Sequence, residues 1–281
     1  MIEFRHVSAS YEAETPVVRD ASFTIHDGDF IAFVGTNGAG KSTTMRLVNG
    51  LLKPTEGEVL IDGVPTTQLA TSQLARSVGF LFQNPDRQIC CNTVREELQF
   101  GFKAVGAQGP EADARVDAII EEFAFDPDAD PFLLNRGTRQ LLALASIIVT
   151  APPVVVLDEP TTGLDYRECT KVMEIVQRLH AAGTTVIMVC HDMEVVADFA
   201  QRVVVMHDGR VVADGPTFEV LRDVEVCREA SLVPPQIVGI SQGLAARPGL
   251  ADAPVVRANT LDEMESAVLA AAGGTNKGAA R

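Results

Sequence analysis

The chain has 281 residues, with 38 Asp+Glu against 23 Lys+Arg and a formal net charge of −15 at pH 7. So acidic a chain lacks the basic surface that neutralises nucleic-acid phosphates, which excludes an unaided DNA- or RNA-coating role and speaks against phosphate-rich ligands in general. Hydrophobic residues make up 46% of it, enough for a packed core, and the length suits one large domain with an appendage.

The chain opens in strands and turns, with Tyr11 in an early strand. Phe30-Ile31-Ala32-Phe33-Val34, bounded by Asp27-Gly28 and Gly35, is a short buried strand. A helix is expected from Lys41 to Asn49-Gly50, with Gly50 as its stop. Val59-Leu60-Ile61 and Val78-Gly79-Phe80-Leu81-Phe82 read as further strands, and from Thr93 to Ile148 the pattern turns helical. The β-branched runs 154–157 and 185–189 enclose an amphipathic helix over residues 167–181, stopped by Gly183. Such alternation implies a parallel sheet covered by helices. Runs 203–206 and 210–212 form a hairpin on His207-Asp208-Gly209.

Beyond residue 222 the character changes. Val233-Pro234-Pro235 marks a break and residues 245–253 read as a small-residue linker. Thr260-Leu261-Asp262-Glu263 is a capping-box start for a last helix to Ala271, and residues 273–281 read as a frayed, flexible tail. The most apolar stretch, residues 141–157, is broken by Ser146, Thr150, Pro152 and Pro153 and does not read as a membrane span. The five cysteines (Cys90, Cys91, Cys169, Cys190 and Cys227) are odd in number and match no zinc spacing. With no signal-peptide pattern in the first ten residues, a reducing cytoplasm is expected.

Gly35-Thr36-Asn37-Gly38-Ala39-Gly40-Lys41-Ser42 fits G-x-x-x-x-G-K-[ST] between a predicted strand and a predicted helix. Glycines let the backbone wrap a phosphate with N–H groups inward, and the helix N-terminus adds positive dipole. Lys41 is expected on the β- and γ-phosphates and the Ser42 hydroxyl on Mg²⁺. Val154-Val155-Val156-Leu157-Asp158-Glu159 is a buried strand ending in two carboxylates, at the sheet edge where ligands bind. Asp158 suits Mg²⁺, and Glu159 suits polarising the water that attacks the γ-phosphate. Taken alone, two solvated strand-end acids explain that pair equally well. Beside the glycine loop they do not.

The residues around these motifs carry a resemblance. Asp158-Glu159-Pro160-Thr161-Thr162-Gly163-Leu164-Asp165 resembles the Walker B and D-loop segment of ATP-binding-cassette (ABC) ATPases, and Val189-Cys190-His191-Asp192 resembles their switch-histidine segment. Phe82-Gln83-Asn84-Pro85-Asp86 is similar to their Q-loop, and Tyr11 sits where the family's adenine-stacking aromatic is found. The resemblance covers residues 2–222 in order. It implies an α/β fold: a P-loop ATPase with a parallel-sheet core, an antiparallel β subdomain, a helical subdomain over residues 86–148 and a small C-terminal extension, residues 223–281. It places ATP against Tyr11, Gly35, Thr36, Asn37, Gly38, Ala39, Gly40, Lys41, Ser42 and Thr43. It gives Mg²⁺ to Ser42, Gln83 and Asp158, and catalysis to Glu159, His191 and Gln83, with Asp165 in the D-loop.

The family's signature segment, usually Leu-Ser-Gly-Gly-Gln, is here Leu134-Asn135-Arg136-Gly137-Thr138. In the family this loop meets the γ-phosphate held by the opposite subunit. Asn135 can cap the following helix as Ser would, and Arg136 either adds a phosphate contact or blocks close approach. Gln83-Asn84-Pro85-Asp86-Arg87-Gln88-Ile89 and Ala230-Ser231-Leu232-Val233-Pro234-Pro235-Gln236 resemble one subgroup, the A components of energy-coupling factor transporters. That implies an ATPase at the cytoplasmic face of the membrane, dimerised with itself or a sister ATPase. Its membrane partners are a scaffold T component and a substrate-binding S component that selects a vitamin or a transition-metal ion. The alternatives are another ABC transporter class, or a nucleotide-binding subunit whose altered signature slows turnover. A cassette acting on DNA or the ribosome lacks the basic surface it needs. Eight acids against Arg115 alone lie between residues 111 and 130, so nearly half the net charge sits in the helical region.

Overall fold

The computed structural model describes residues 1–11 and 15–275. Strands β1 (Ile2–Ala9) and β2 (Val18–Ile25) form an antiparallel pair whose buried residues alternate, as a half-covered sheet requires. β3 (Phe30–Val34) is buried throughout and leads through the glycine loop into α1 (Lys41–Val48). β4 (Glu56–Ile61), β5 (Val64–Pro65) and α2 (Thr71–Leu74) follow. β6 (Val78–Leu81) then opens the helical part: α3 (Val94–Val105), α4 (Pro110–Phe123) and α5 (Arg136–Ile148). The chain returns through β7 (Val154–Asp158), α6 (Tyr166–Ala181), β8 (Thr185–Val189), α7 (Met193–Phe199), β9 (Arg202–His207) and β10 (Arg210–Pro216). Helices α8 (Thr217–Arg222), α9 (Val224–Glu229), α10 (Gln236–Ala245) and α11 (Leu261–Thr275) end it.

Two sheets result. One is antiparallel with order β2-β1-β4-β5, and the other runs β10-β9-β3-β8-β7-β6, parallel except for the β10 edge. β3, β7 and β8 are buried at every residue because helices cover one face of the parallel sheet and the antiparallel sheet covers the other. All five parallel strands aim their C-terminal ends at one edge, which carries Gly35, Asp158 and Cys190-His191. The β9–β10 hairpin turns on Asp208 and Gly209, both at positive φ (47° and 79°), the type I′ turn the Asp-Gly pair predicts.

The region after Arg222 differs from its sequence reading. Residues 245–253 connect α10 to the turn at 254–257 and are mostly exposed, while the segments on either side are tied to the fold: the Arg222 guanidinium donates to the carbonyls of Val256 (2.6 Å) and Ala258 (3.1 Å), and Gln242 donates to the Arg222 carbonyl at 2.8 Å. Thr260 accepts from the Glu263 N–H at 3.3 Å, but the Glu263 carboxylate reaches the Asn259 N–H rather than that of Thr260, one residue off the predicted box. α11 continues past Ala271 to Thr275, so the predicted frayed tail does not begin at residue 273; its remainder, 276–281, lies outside the described residues. No helix among the described residues is long and apolar enough to cross a membrane.

Candidate nucleotide site

The phosphate loop owes its path to its glycines. Gly35 sits at φ 140°, where a Cβ would meet the Met206 carbonyl oxygen at 2.1 Å, and Gly40 at φ 101° would press one against the Val17 oxygen at 2.8 Å. Only residues without a side chain let the loop lie so close to β9 and to Val17, just before β2. Lys41, 6% exposed, donates from Nζ to the carbonyls of Gly35 (2.8 Å) and Thr36 (2.9 Å). Burial pulls its pKa below the usual lysine value, opposed by the carboxylates of Glu159 and Asp158.

Ser42 Oγ donates to Asp158 Oδ1 at 3.0 Å, bringing the loop and the strand-end carboxylate together. Burial raises the Asp158 pKa; the Ser42 hydroxyl opposes it and the neighbouring Glu159 carboxylate adds to it. Glu159 lies at φ 51°, in the left-handed region that a side chain disfavours. Its Oε2 accepts from Gln83 Nε2 at 2.7 Å and from Thr162 Oγ1 at 2.9 Å, with His191 Nδ1 at 3.7 Å. These contacts converge on one oxygen, leaving Oε1 to accept from another donor. Hydroxyl, carboxylate and the amide oxygen of Gln83 are hard oxygen donors, a set that fits Mg²⁺.

Tyr11 lies beside α1, with its hydroxyl 3.4 Å from Thr43 Oγ1 and 2.7 Å from the donating Arg46 Nη1; the residue is 54% exposed. The Arg46 guanidinium lies 5.8 Å from the ring centroid, a cation–π contact that steadies the aromatic. Asn37, Thr36 and Gly35 line a cleft of 620 Å³ whose other walls are His191, Asp192 and the segment 231–236. The sequence reading took that last segment only as a subgroup mark, and its place against the phosphate loop follows from tertiary packing.

The signature segment sits elsewhere, at the start of α5. Asn135 Oδ1 accepts from the Thr138 N–H at 2.8 Å, the expected cap. Gly137 packs against Glu168: a Cβ there would meet the carboxylate at 1.9 Å, so the Glu168 side chain would have to move to admit one. Arg136 does not extend into open space; its Nη2 donates to the Thr162 carbonyl at 3.0 Å. Asp165 caps α6 reciprocally with Glu168, at 2.9 Å and 3.1 Å. Sequence reasoning missed Thr162, Gln140 and Gln88. Gln88 accepts from the Phe82 N–H (3.2 Å) and donates to the Ala143 carbonyl (2.7 Å), tying the Gln83 loop to α5.

The cysteines Cys90 and Cys91 come within 4.8 Å of a Glu97 carboxylate oxygen, a grouping their spacing did not announce. Glu97, 2% exposed, accepts from both cysteine N–H groups at 2.9 Å. Burial and the Glu97 carboxylate push the Cys91 thiol up to about 12, so it stays a neutral thiol and Glu97 braces the loop. The acids of residues 111–130 are largely used internally: Arg95 holds Asp117 (2.7 Å), Arg178 holds Glu122 (2.6 Å), Gln99 holds Asp113 (3.1 Å), and Asp126 and Asp130 accept from turn N–H groups.

A parallel sheet with a glycine loop between β3 and α1, and a carboxylate pair at the end of β7, define a P-loop ATPase. A family model described as ABC transporter matches residues 18–162, and the chain belongs to that family. It is 39% identical over 236 residues to an energy-coupling factor transporter ATP-binding protein of Methanothermobacter thermautotrophicus, covering 83% of this chain and 76% of that protein. An ABC transporter ATP-binding protein of Caldanaerobacter subterraneus is 40% identical over 246 residues, 87% of this chain; the match spans only 43% of that longer protein. Among solved structures, cbiO1 from Clostridium perfringens, part of the ABC transporter complex cbiONQ, superposes with TM-score 0.70 at 32% identity, covering 81% of this chain and 92% of that one. A dimeric ATP-binding cassette bound to ADP and Pi superposes with TM-score 0.70 at 28% identity, over 77% and 99% of the two chains.

Proposed function

We propose that the chain binds and hydrolyses ATP as the motor subunit of an energy-coupling factor type importer, at the cytoplasmic face of the membrane. The observation that carries this is the convergence of Gln83, Thr162 and His191 on Glu159, next to Ser42–Asp158 and the glycine loop. The loop N–H groups and Lys41 hold the β- and γ-phosphates, Tyr11 offers its exposed ring to adenine, and Ser42, Asp158 and Gln83 would hold Mg²⁺. Mg²⁺ held there would supply charge neutralisation of the phosphate oxygens. Glu159 takes a proton from water attacking the γ-phosphorus as the bond to the ADP oxygen breaks, and His191 contacts the γ-phosphate.

The energy-coupling factor assignment is supported by the names of relatives and by the two segments around Asn84-Pro85 and Pro234-Pro235. In this reading a second ATPase presents its signature loop to the γ-phosphate, and Asn135, Arg136, Gly137 and Thr138 serve the partner's site in return. An apolar groove of 260 Å³, lined by Phe80, Phe82, Phe100 and Ile147, lies between the two subdomains and suits an apolar segment of a membrane scaffold. The substrate, a vitamin or a transition-metal ion, is chosen by the S component and does not touch this chain.

Purification from membranes, with phosphate release assayed on the complex, tests the proposal. Co-purifying integral membrane proteins and a turnover abolished by Glu159→Gln are expected. ATP turnover in Glu159→Gln at the parent's rate refutes the role of Glu159, and a complex holding no integral membrane protein refutes the transport role.

A further inference from the structure

The turn that follows Glu159 is fastened to the start of α5 through three side chains, Thr162, Arg136 and Gln140. Thr162 donates its hydroxyl to Glu159 Oε2 at 2.9 Å, and its own carbonyl accepts from Arg136 Nη2 at 3.0 Å. The Arg136 guanidinium lies flat enough on the turn that a Cβ at Gly163 would sit 2.9 Å from its Cζ. One turn further along α5, buried Gln140 donates to the Pro160 carbonyl at 3.0 Å. Two carbonyls of the turn are therefore held from the same helix.

We infer that Thr162 and Arg136 are positioning residues for Glu159, a role that rests on the reading of Glu159 as the proton acceptor. The physical need is visible at Glu159, whose backbone at φ 51° is held in the left-handed region only by its surroundings. A carboxylate on such a turn keeps its orientation when two donors fix one oxygen. Gln83 supplies one donor from the neighbouring loop, and Thr162 supplies the other from within the turn. Arg136 acts one step back: it grips the peptide that carries Thr162, and so sets where the hydroxyl lies. A glycine at position 136 has no group to reach that carbonyl. The arginine in the altered signature thus also works within its own subunit, as a brace between the signature helix and the catalytic turn.

The test uses the full chain, assayed for steady-state phosphate release against MgATP and normalised by nucleotide-binding stoichiometry so that misfolded protein does not count. Thr162→Val should lower kcat about tenfold, the worth of one hydrogen bond to a carboxylate, with KM for ATP moving less than about twofold. Thr162→Ser, which keeps the hydroxyl, should restore the parent's kcat. Arg136→Ala should lower kcat by about threefold or more, again with KM within about twofold. Parent-like kcat in Thr162→Val overturns the inference, as does an Arg136→Ala effect confined to KM, which would make Arg136 a nucleotide contact. Glu159→Gln is measured alongside. If it is inert while Thr162→Val is unimpaired, the inference fails alone; if it turns over ATP like the parent, the reading of Glu159 fails first.

Discussion

Ser42 Oγ and Asp158 Oδ1 meet at 3.0 Å across a sequence separation of 116 residues. The bond joins the first turn of α1 to the end of β7, and it places a hydroxyl and a carboxylate side by side where the sheet edge opens.

The Asp158 pair carries a stability prediction. Burial holds the Asp158 pKa above its ordinary value in the fold, so stability is greatest below the unfolded carboxylate range and is lost as pH rises through the raised pKa. Asp158→Asn keeps an acceptor for Ser42 and removes the ionisation cost. Measured without nucleotide at pH 7, its Tm should exceed the parent's by about 2 °C, and the gap should close in acid. An unchanged gap at low pH counts against a titrating Asp158. The same variant should lose at least about 10²-fold in Mg²⁺-dependent hydrolysis.

Lys41→Met keeps the buried stem and deletes the donors that reach the Gly35 and Thr36 carbonyls. Equilibrium binding of ATP should weaken at least about 10²-fold, in keeping with the loss of a charged phosphate contact. Affinity near the parent's would remove Lys41 from the site.

Gly35→Ala meets both a positive φ and the Met206 carbonyl. Urea unfolding should show a loss of about 3 kcal/mol or more, larger than a surface substitution gives. A loss under about 0.5 kcal/mol would mean that the loop relaxes away from β9.

Asn135→Ala removes the acceptor for the Thr138 N–H and should cost about 1 kcal/mol in the same assay, whereas Asn135→Ser should stay close to the parent. Equal losses in both variants would show that the cap is not what Asn135 contributes.

Much of the frame was legible because its signals are local. The runs 30–34 and 154–157 are apolar throughout and 186–189 is apolar after Thr185, the pattern of strands buried on both faces, and all three are strands. The glycine loop and the Asp-Gly turn carry their backbone requirements in their residue types. The contacts that complete the site are not local. Nothing in the residues around Thr162 says that its hydroxyl points back to Glu159, and Arg136 read as a departure from a motif because its partner lies 26 residues away. The small residues 245–253 read as a linker because alanine and glycine carry no periodic signal; that the segment after them is held by Arg222, through the carbonyls of Val256 and Ala258, is a long-range contact that no local pattern announces.

The wall formed by residues 231–236 bears on how the chain can be divided. The Gln236 N–H donates to Glu194 Oε1 at 2.8 Å, and Glu194 stands in the first turn of the helix that begins just after His191. A fragment ending at Arg222 would leave Glu194 without that partner and open one side of the cleft next to Gly35, Thr36 and Asn37. The cassette and its extension are thus not interchangeable cartridges. Grafting a different extension onto the same cassette would rebuild the rim of the nucleotide cleft itself.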